Sequence, residues 1–90
     1  MINSSKLIAT LEKIAALTRG ANALSWADQI DQLKEEMLTE PAQATYKCRQ
    51  LFGGMGSFND LVLMQGHQVL VAANEELDDL RKTLYQQLHQ

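Results

Sequence analysis

Cysteine and proline are almost absent from this 90-residue sequence, which has one of each. Cys48 has no second cysteine to join, so an intrachain disulfide is excluded and nothing indicates an oxidising compartment. No apolar run approaches the length of a membrane span, and the N-terminus lacks the charged and apolar regions of a secretion signal. We therefore expect a cytoplasmic protein with no membrane partner.

A basic stripe is also missing. The eight Lys and Arg residues are scattered among eleven Asp and Glu residues, and the formal net charge is −3. Nucleic-acid binding needs clustered cations that replace the counterions of the phosphate backbone, so we expect no nucleic-acid partner. The chain also lacks a recognisable base or nucleophile held by a third group. We expect no enzyme activity and no cofactor.

Metal ligands are few and far apart. Cys48, His67 and His89 form neither a C-x-x-C nor an H-x-x-x-H pair, so no metal site is predicted. Cys48 stands between Lys47 and Arg49, and neighbouring cations can activate a thiol. It falls on the apolar side of its helix, however, and packing in the core is the favoured interpretation.

Most of the sequence has apolar residues at helical spacing. Its length of 90 residues predicts a single domain, 1–90. Ser4 or Ser5 caps a first helix that ends near Arg19, because Gly20 can adopt the left-handed conformation. Its apolar face contains Leu7, Ile8, Leu11, Ile14, Ala15 and Leu17. A second helix, capped by Asn22 or Ser25, has the apolar seam Trp26, Ile30, Leu33 and Met37.

Pro41 suits the first position of a third helix, which Gly53 and Gly54 would end. Residues 61–71 fit either two short strands with Gln65-Gly66 at the turn or a buried helix. Asn74 is expected to cap a last helix with the apolar edge Leu77, Leu80, Leu84 and Leu88. The prediction is a mainly α fold, about four helices in a small bundle, with a glycine-rich turn and an optional short β-hairpin at 61–71.

The stretch LFGGMGSFND, residues 51–60, has two interpretations. A phosphate loop would use its backbone N–H groups, but the lysine of the P-loop and the G-x-G-x-x-G pattern are absent. As a structural corner, the glycines turn the chain and Ser57 with Asp60 forms an S-x-x-D capping pattern. Met55 and Phe58 are then either buried in the corner or exposed as an apolar knob that anchors a partner.

Acidic residues concentrate on the second and last helices, where Glu75 and Glu76 are expected in the first turn of the last helix. These acidic residues have two interpretations. They form either the solvent-exposed surface of the bundle or an electrostatic patch that attracts a basic partner. The candidate partner-binding residues are Asp28, Asp31, Glu35, Glu36, Met55, Phe58, Glu75, Glu76, Asp78 and Asp79.

The runs FGGMGSFNDLVL and NEELDDLRKTLY resemble a family of small bacterial proteins of unknown function. Compact acidic proteins of this size are similar to immunity proteins, which inhibit toxins that competing bacteria deliver. This resemblance implies a non-enzymatic module that binds a toxin domain and occludes its active site, and that is a monomer or weak dimer when free. The alternatives are a secretion chaperone or adaptor that holds a client segment, and a phosphate or small-ligand binder.

Overall fold

The computed structural model describes residues 3–53 and 57–89, in which four helices surround one core. The helices are α1 (Ser4–Gly20), α2 (Leu24–Thr39), α3 (Pro41–Gln50) and α4 (Val71–Leu88). A 3₁₀ turn (Phe58–Asp60) and a hairpin of β1 (Met64–Gln65) and β2 (Gln68–Val69) lie between α3 and α4. The predicted mainly α fold is confirmed. No helix among the described residues is long and apolar enough to cross a membrane.

The first helix begins and ends with different residues from those predicted. Asn3 is the N-cap, and its Oδ1 accepts a hydrogen bond from the Lys6 N–H at 3.2 Å. Ser4 and Ser5 therefore lie inside α1, because the asparagine before them already satisfies the helix start. Gly20 is the last helical residue, and Asn22 adopts the left-handed conformation with φ of 63°. Asparagine tolerates this region better than most residues, so Asn22 turns the chain.

The second helix begins without a side-chain cap. Ala23 occupies the N-cap position, so neither Asn22 nor Ser25 has the capping role predicted for it. Asn22 is used in the turn, and Ser25 is already within the first turn of α2. Pro41 does begin α3, as predicted, because a first helical position needs no N–H donor.

Packing follows the predicted apolar faces. Helices α2 and α4 each contact both α1 and α3. The central side chains of α1 and α2, including Leu11 and Ile30, are fully buried, whereas Trp26 is partly buried against the core. The core contains Leu7, Leu11, Ile14, Ala15, Ile30, Leu33, Met37, Ala44, Cys48, Phe58, Leu63, Leu77, Leu84 and Leu88.

Helix α3 ends at Gln50, three residues before the predicted stop at Gly53. The chain continues in tighter turns, with the Leu51, Phe52 and Gly53 N–H groups donating to carbonyls three residues earlier. The Phe58 N–H donates to the Leu51 carbonyl at 2.9 Å. Phe58 therefore lies beside the end of α3.

The S-x-x-D pattern makes a backbone turn in which the predicted Ser57 side-chain cap is not formed. The Asp60 N–H donates to the main-chain carbonyl of Ser57 at 2.9 Å, and the Ser57 side chain caps nothing. The turn is a short 3₁₀ helix, whose i to i+3 bond the main chain supplies by itself.

The segment 61–71 forms the hairpin and not the buried helix. Met64 pairs with Val69 and Gln65 with Gln68, so Gly66 and His67 form the turn, one residue later than predicted. Gly66 has φ of +61°, which favours glycine at this position. Leu63, on the inner side of the hairpin, is buried in the core.

Asn74 has a different role from the predicted cap. Helix α4 begins at Val71, three residues earlier, which also places Glu75 and Glu76 beyond its first turn. The Asn74 Oδ1 accepts from the Leu63 N–H at 2.7 Å, and its Nδ2 donates to the carbonyls of Leu63 at 2.9 Å and Leu70 at 2.8 Å. The Asn74 amide therefore bonds to the residue before β1 and to the residue after β2, and holds the base of the hairpin against α4.

Replacing Asn74 with alanine should lower the free energy of unfolding by about 1–3 kcal/mol, because it leaves partly buried main-chain groups unsatisfied. Urea unfolding followed by Trp26 fluorescence measures this loss. The exposed Thr83→Ala substitution on the same helix is the control and should change stability by less than about 0.5 kcal/mol. Equal stability of the two variants would contradict the role assigned to Asn74.

Candidate functional site

The outward side of the hairpin presents a group of exposed apolar side chains. Met64 and Val69 are paired across the strands and are 44% and 52% exposed. Val62 lies two residues before Met64, and Val71, the first residue of α4, lies two residues after Val69; they are 53% and 64% exposed. We call Val62, Met64, Val69 and Val71 the hairpin patch. Exposed apolar side chains gathered in one place are typical of interaction surfaces.

Three acidic side chains border this patch along α4. Glu75 lies four residues after Val71. Asp79 lies four residues after Glu75 and three after Glu76, spacings that place side chains next to each other on a helix. All three are exposed, and none forms an ion pair with a residue of the described part of the chain. We call Glu75, Glu76 and Asp79 the acidic rim.

Asp78 differs from its acidic neighbours because it holds Arg81 by an ion pair. The Arg81 Nη1 donates to the carbonyls of Phe58 at 2.7 Å and Leu61 at 3.2 Å, and its guanidinium lies 5.7 Å from the centre of the Phe58 ring. Its side chain is only 11% exposed. Asp78 and Arg81 together fasten the 3₁₀ turn to α4.

The acidic residues of α2 are mostly compensated within the protein. Asp28 and Asp31 lie 3.3 and 2.6 Å from the Arg19 guanidinium, and these hydrogen bonds raise the pKa of Arg19. Glu36 pairs with Lys47 at 3.0 Å. Glu35 is exposed and has no ion pair in the described part of the chain. The α2 surface therefore offers less uncompensated charge to a partner than the number of its carboxylates indicates.

The alternative of an exposed knob is wrong for Phe58. This side chain is fully buried, with its ring centre 5.4 Å from that of Trp26 and 6.2 Å from that of Phe52. Phe58 therefore belongs to the core and is not an exposed apolar knob. Met55 lies outside the described residues, as do Gly54 and Gly56, on which the phosphate-loop interpretation depends.

A groove of about 310 Å³ opens beside the Asp78–Arg81 pair. Phe52 and Tyr85 form its aromatic part, with ring centres 5.6 Å apart in an edge-to-face contact. Neither residue was predicted from the sequence to line a site, although Tyr85 lies one helical turn after Arg81. The groove is lined by Phe52, Asn59, Asp78, Arg81, Lys82, Tyr85 and Gln86.

Cys48 is packed in the core, as the favoured interpretation predicted. Burial raises the pKa of the Cys48 thiol to about 11, with a smaller contribution from Glu36. The thiol is therefore protonated near neutral pH and unsuited to nucleophilic attack. His67 lies in the hairpin turn, and His89 stacks on Tyr85 with ring centres 4.1 Å apart. In residues 3–53 and 57–89, no three His, Cys, Asp or Glu side chains gather as metal ligands.

A family model described as "Domain of unknown function (DUF6966)" matches residues 19–71, more than half of the chain. The chain belongs to this family. The DUF6966 match contains α2, α3 and the hairpin but only the last two residues of α1 and the first of α4. Since α1 and α4 supply much of the core, the matched segment depends on both flanking helices. No curated protein and no solved structure matches the chain.

Replacing Arg81 with methionine should destabilise the protein by about 2–3 kcal/mol, because the Phe58 and Leu61 carbonyls lose a charged donor. Trp26, which contacts Phe58, reports this loss in urea unfolding by its fluorescence. Lys82→Met removes the adjacent, exposed cation and should change stability by less than about 0.5 kcal/mol. If Arg81→Met lowered the free energy of unfolding no more than Lys82→Met does, the guanidinium would not hold the 3₁₀ turn.

Proposed function

We propose that this DUF6966 protein is a non-enzymatic protein-binding module, and specifically an immunity protein that neutralises a bacterial toxin in the cytoplasm by occluding its active site. The observation that carries the proposal is the hairpin patch. Four apolar side chains, each about half exposed, lie on or next to a hairpin that Asn74 holds to the bundle. A fixed surface of this kind loses little conformational entropy when a partner covers it.

The energetics favour a protein partner. Covering apolar surface contributes roughly 25 cal/mol per Å² removed from water, so the patch supplies binding energy at the centre of an interface. A polar or charged border around an apolar centre is the usual anatomy of protein interfaces, and the acidic rim forms part of such a border. The patch and the rim therefore work as one surface.

The acidic rim supports the inhibitory form of the proposal. Enzymes that act on phosphate-containing substrates concentrate positive charge in their clefts, because this charge attracts and holds the substrate. A rim of uncompensated carboxylates next to an apolar anchor is suited to covering such a cleft. The free protein would be a monomer or a weak dimer.

A secretion chaperone or adaptor is the second candidate, and the groove beside Tyr85 favours it. An open groove with aromatic sides and a volume of about 310 Å³ suits one apolar side chain of a client segment. In that case Tyr85→Ala would weaken client binding while changes in the hairpin patch would not.

The proposal is tested by co-purification of tagged protein from its native cells, with mass spectrometry, and by co-expression with the captured partner. We expect one stoichiometric partner with a toxin domain, whose toxicity the protein suppresses. The double variant Met64→Gln/Val69→Thr, which keeps the net charge, should lose both capture and protection.

The matched control is Leu38→Gln/Tyr46→Gln, which removes two exposed apolar side chains from α2 and α3. This variant should bind and protect like the wild type. Circular dichroism and thermal unfolding of both variants verify that the fold is kept. Full protection by the Met64→Gln/Val69→Thr variant, or a captured partner without toxicity, would overturn the proposal.

A further inference from the structure

We infer that the hairpin patch and the acidic rim together bind a basic protein surface, in which apolar side chains are flanked by Lys or Arg. This inference rests on the proposed function only in that the ligand is a protein. It specifies the chemistry of the partner: an apolar anchor over Met64 and Val69, and cations opposite Glu75, Glu76 and Asp79.

The two parts of the surface meet at Val71. This residue is the last of the hairpin patch and the first of α4. Glu75 follows it at the four-residue spacing that places side chains next to each other on a helix, about 5–6 Å apart at Cβ. A partner that covers Val71 therefore brings its edge over the acidic rim.

The charged side chains within residues 62–79 are all acidic. Residues 62–70 contain no Lys, Arg, Asp or Glu, and His67 is their only titratable side chain. In α4, the Arg81 cation is engaged with Asp78 and two carbonyls, so it does not compensate the rim. Lys82 is exposed three residues after Asp79, and no ion pair joins them. Three uncompensated carboxylates remain beside the apolar patch.

This one-signed charge disfavours the other occupants of an apolar patch. A second copy packed symmetrically on the hairpin would bring no Lys or Arg of its own patch against the rim, and the two rims would repel. Nucleic acids and anionic membranes carry the same sign as the rim. A protein with basic residues around an apolar anchor is the complementary partner.

A displayed library of random linear peptides tests the inference without knowledge of the natural partner. The library is selected on the wild-type protein and counter-selected on Met64→Gln/Val69→Thr. We expect enriched peptides with an aromatic or aliphatic residue flanked by Lys or Arg. NMR chemical-shift changes should map their contact to Val62, Met64, Val69, Val71 and the acidic rim.

The strongest peptide is then measured against two charge variants with equal net charge. Glu75→Gln/Glu76→Gln/Asp79→Asn should weaken its binding about tenfold, since three rim charge pairs are lost. Glu12→Gln/Glu35→Gln/Glu40→Gln neutralises three exposed carboxylates elsewhere and should change binding by less than about twofold. Added salt should weaken binding to the wild type more than binding to the rim variant.

The inference is overturned by no enrichment, by peptides without cationic bias, by contacts that map elsewhere, or by equal affinity for the two charge variants. These failures are distinct from failure of the proposed function. Basic peptides that bind the rim, together with a native partner that is no toxin, would retain the surface and reject immunity. A toxin that binds the wild type and the rim variant equally well would support the immunity function and reject the inference about the acidic rim.

Discussion

The amide of Asn74 is the contact on which the exposed surface of this protein depends. In the described part of the segment between α3 and α4, the regular elements are a 3₁₀ turn and a hairpin of two two-residue strands. An isolated hairpin of this size is not stable in water. Asn74 bonds to Leu63 and Leu70 at the inner ends of the strands, and Arg81 bonds to the turn before them. Both side chains belong to α4, which thereby holds the 3₁₀ turn and the hairpin.

This dependence divides the acidic residues of α4 by role. Asp78 holds Arg81 and so stabilises the turn, whereas Glu75, Glu76 and Asp79 face solvent. A charge reversal at Asp78 would disturb the fold and the surface together. Variants at the acidic rim leave the Arg81 contacts intact, so they separate the effect of charge on binding from its effect on folding.

The features that could be predicted from the sequence are those that local residue spacing and residue type determine. The apolar faces of α1 and α2 and the burial of Cys48 follow from spacing along one helix, and the start of α3 follows from the preference of proline for a first helical position. Asn74 was mistaken for a cap because Asn followed by two Glu residues is a typical helix start, and its bonds to Leu63 are tertiary. The burial of Phe58 is likewise tertiary, since its ring packs with Trp26 and Phe52 and beneath the Arg81 guanidinium.

The candidate site was predicted in part. Glu75, Glu76 and Asp79 were chosen for their charge and are exposed, but the hairpin patch was missed because 61–71 fitted both strand and helix. Once Gly66 is placed in the turn, Met64 and Val69 become a cross-strand pair on one face of the hairpin. The spacing of these residues predicts an exposed apolar pair only after residues 61–71 are known to form a hairpin and not a helix.

Native-state hydrogen exchange tests most directly whether α4 holds the hairpin. The Leu63 and Leu70 amides, which donate to Asn74 Oδ1 and to the Leu63 carbonyl, should exchange as slowly as the central amides of α4. In Asn74→Ala they should exchange much faster while α4 stays protected. If both amides already exchange rapidly in the wild-type protein while α4 remains protected, the hairpin is not fastened to the bundle and the surface described above is not a fixed one.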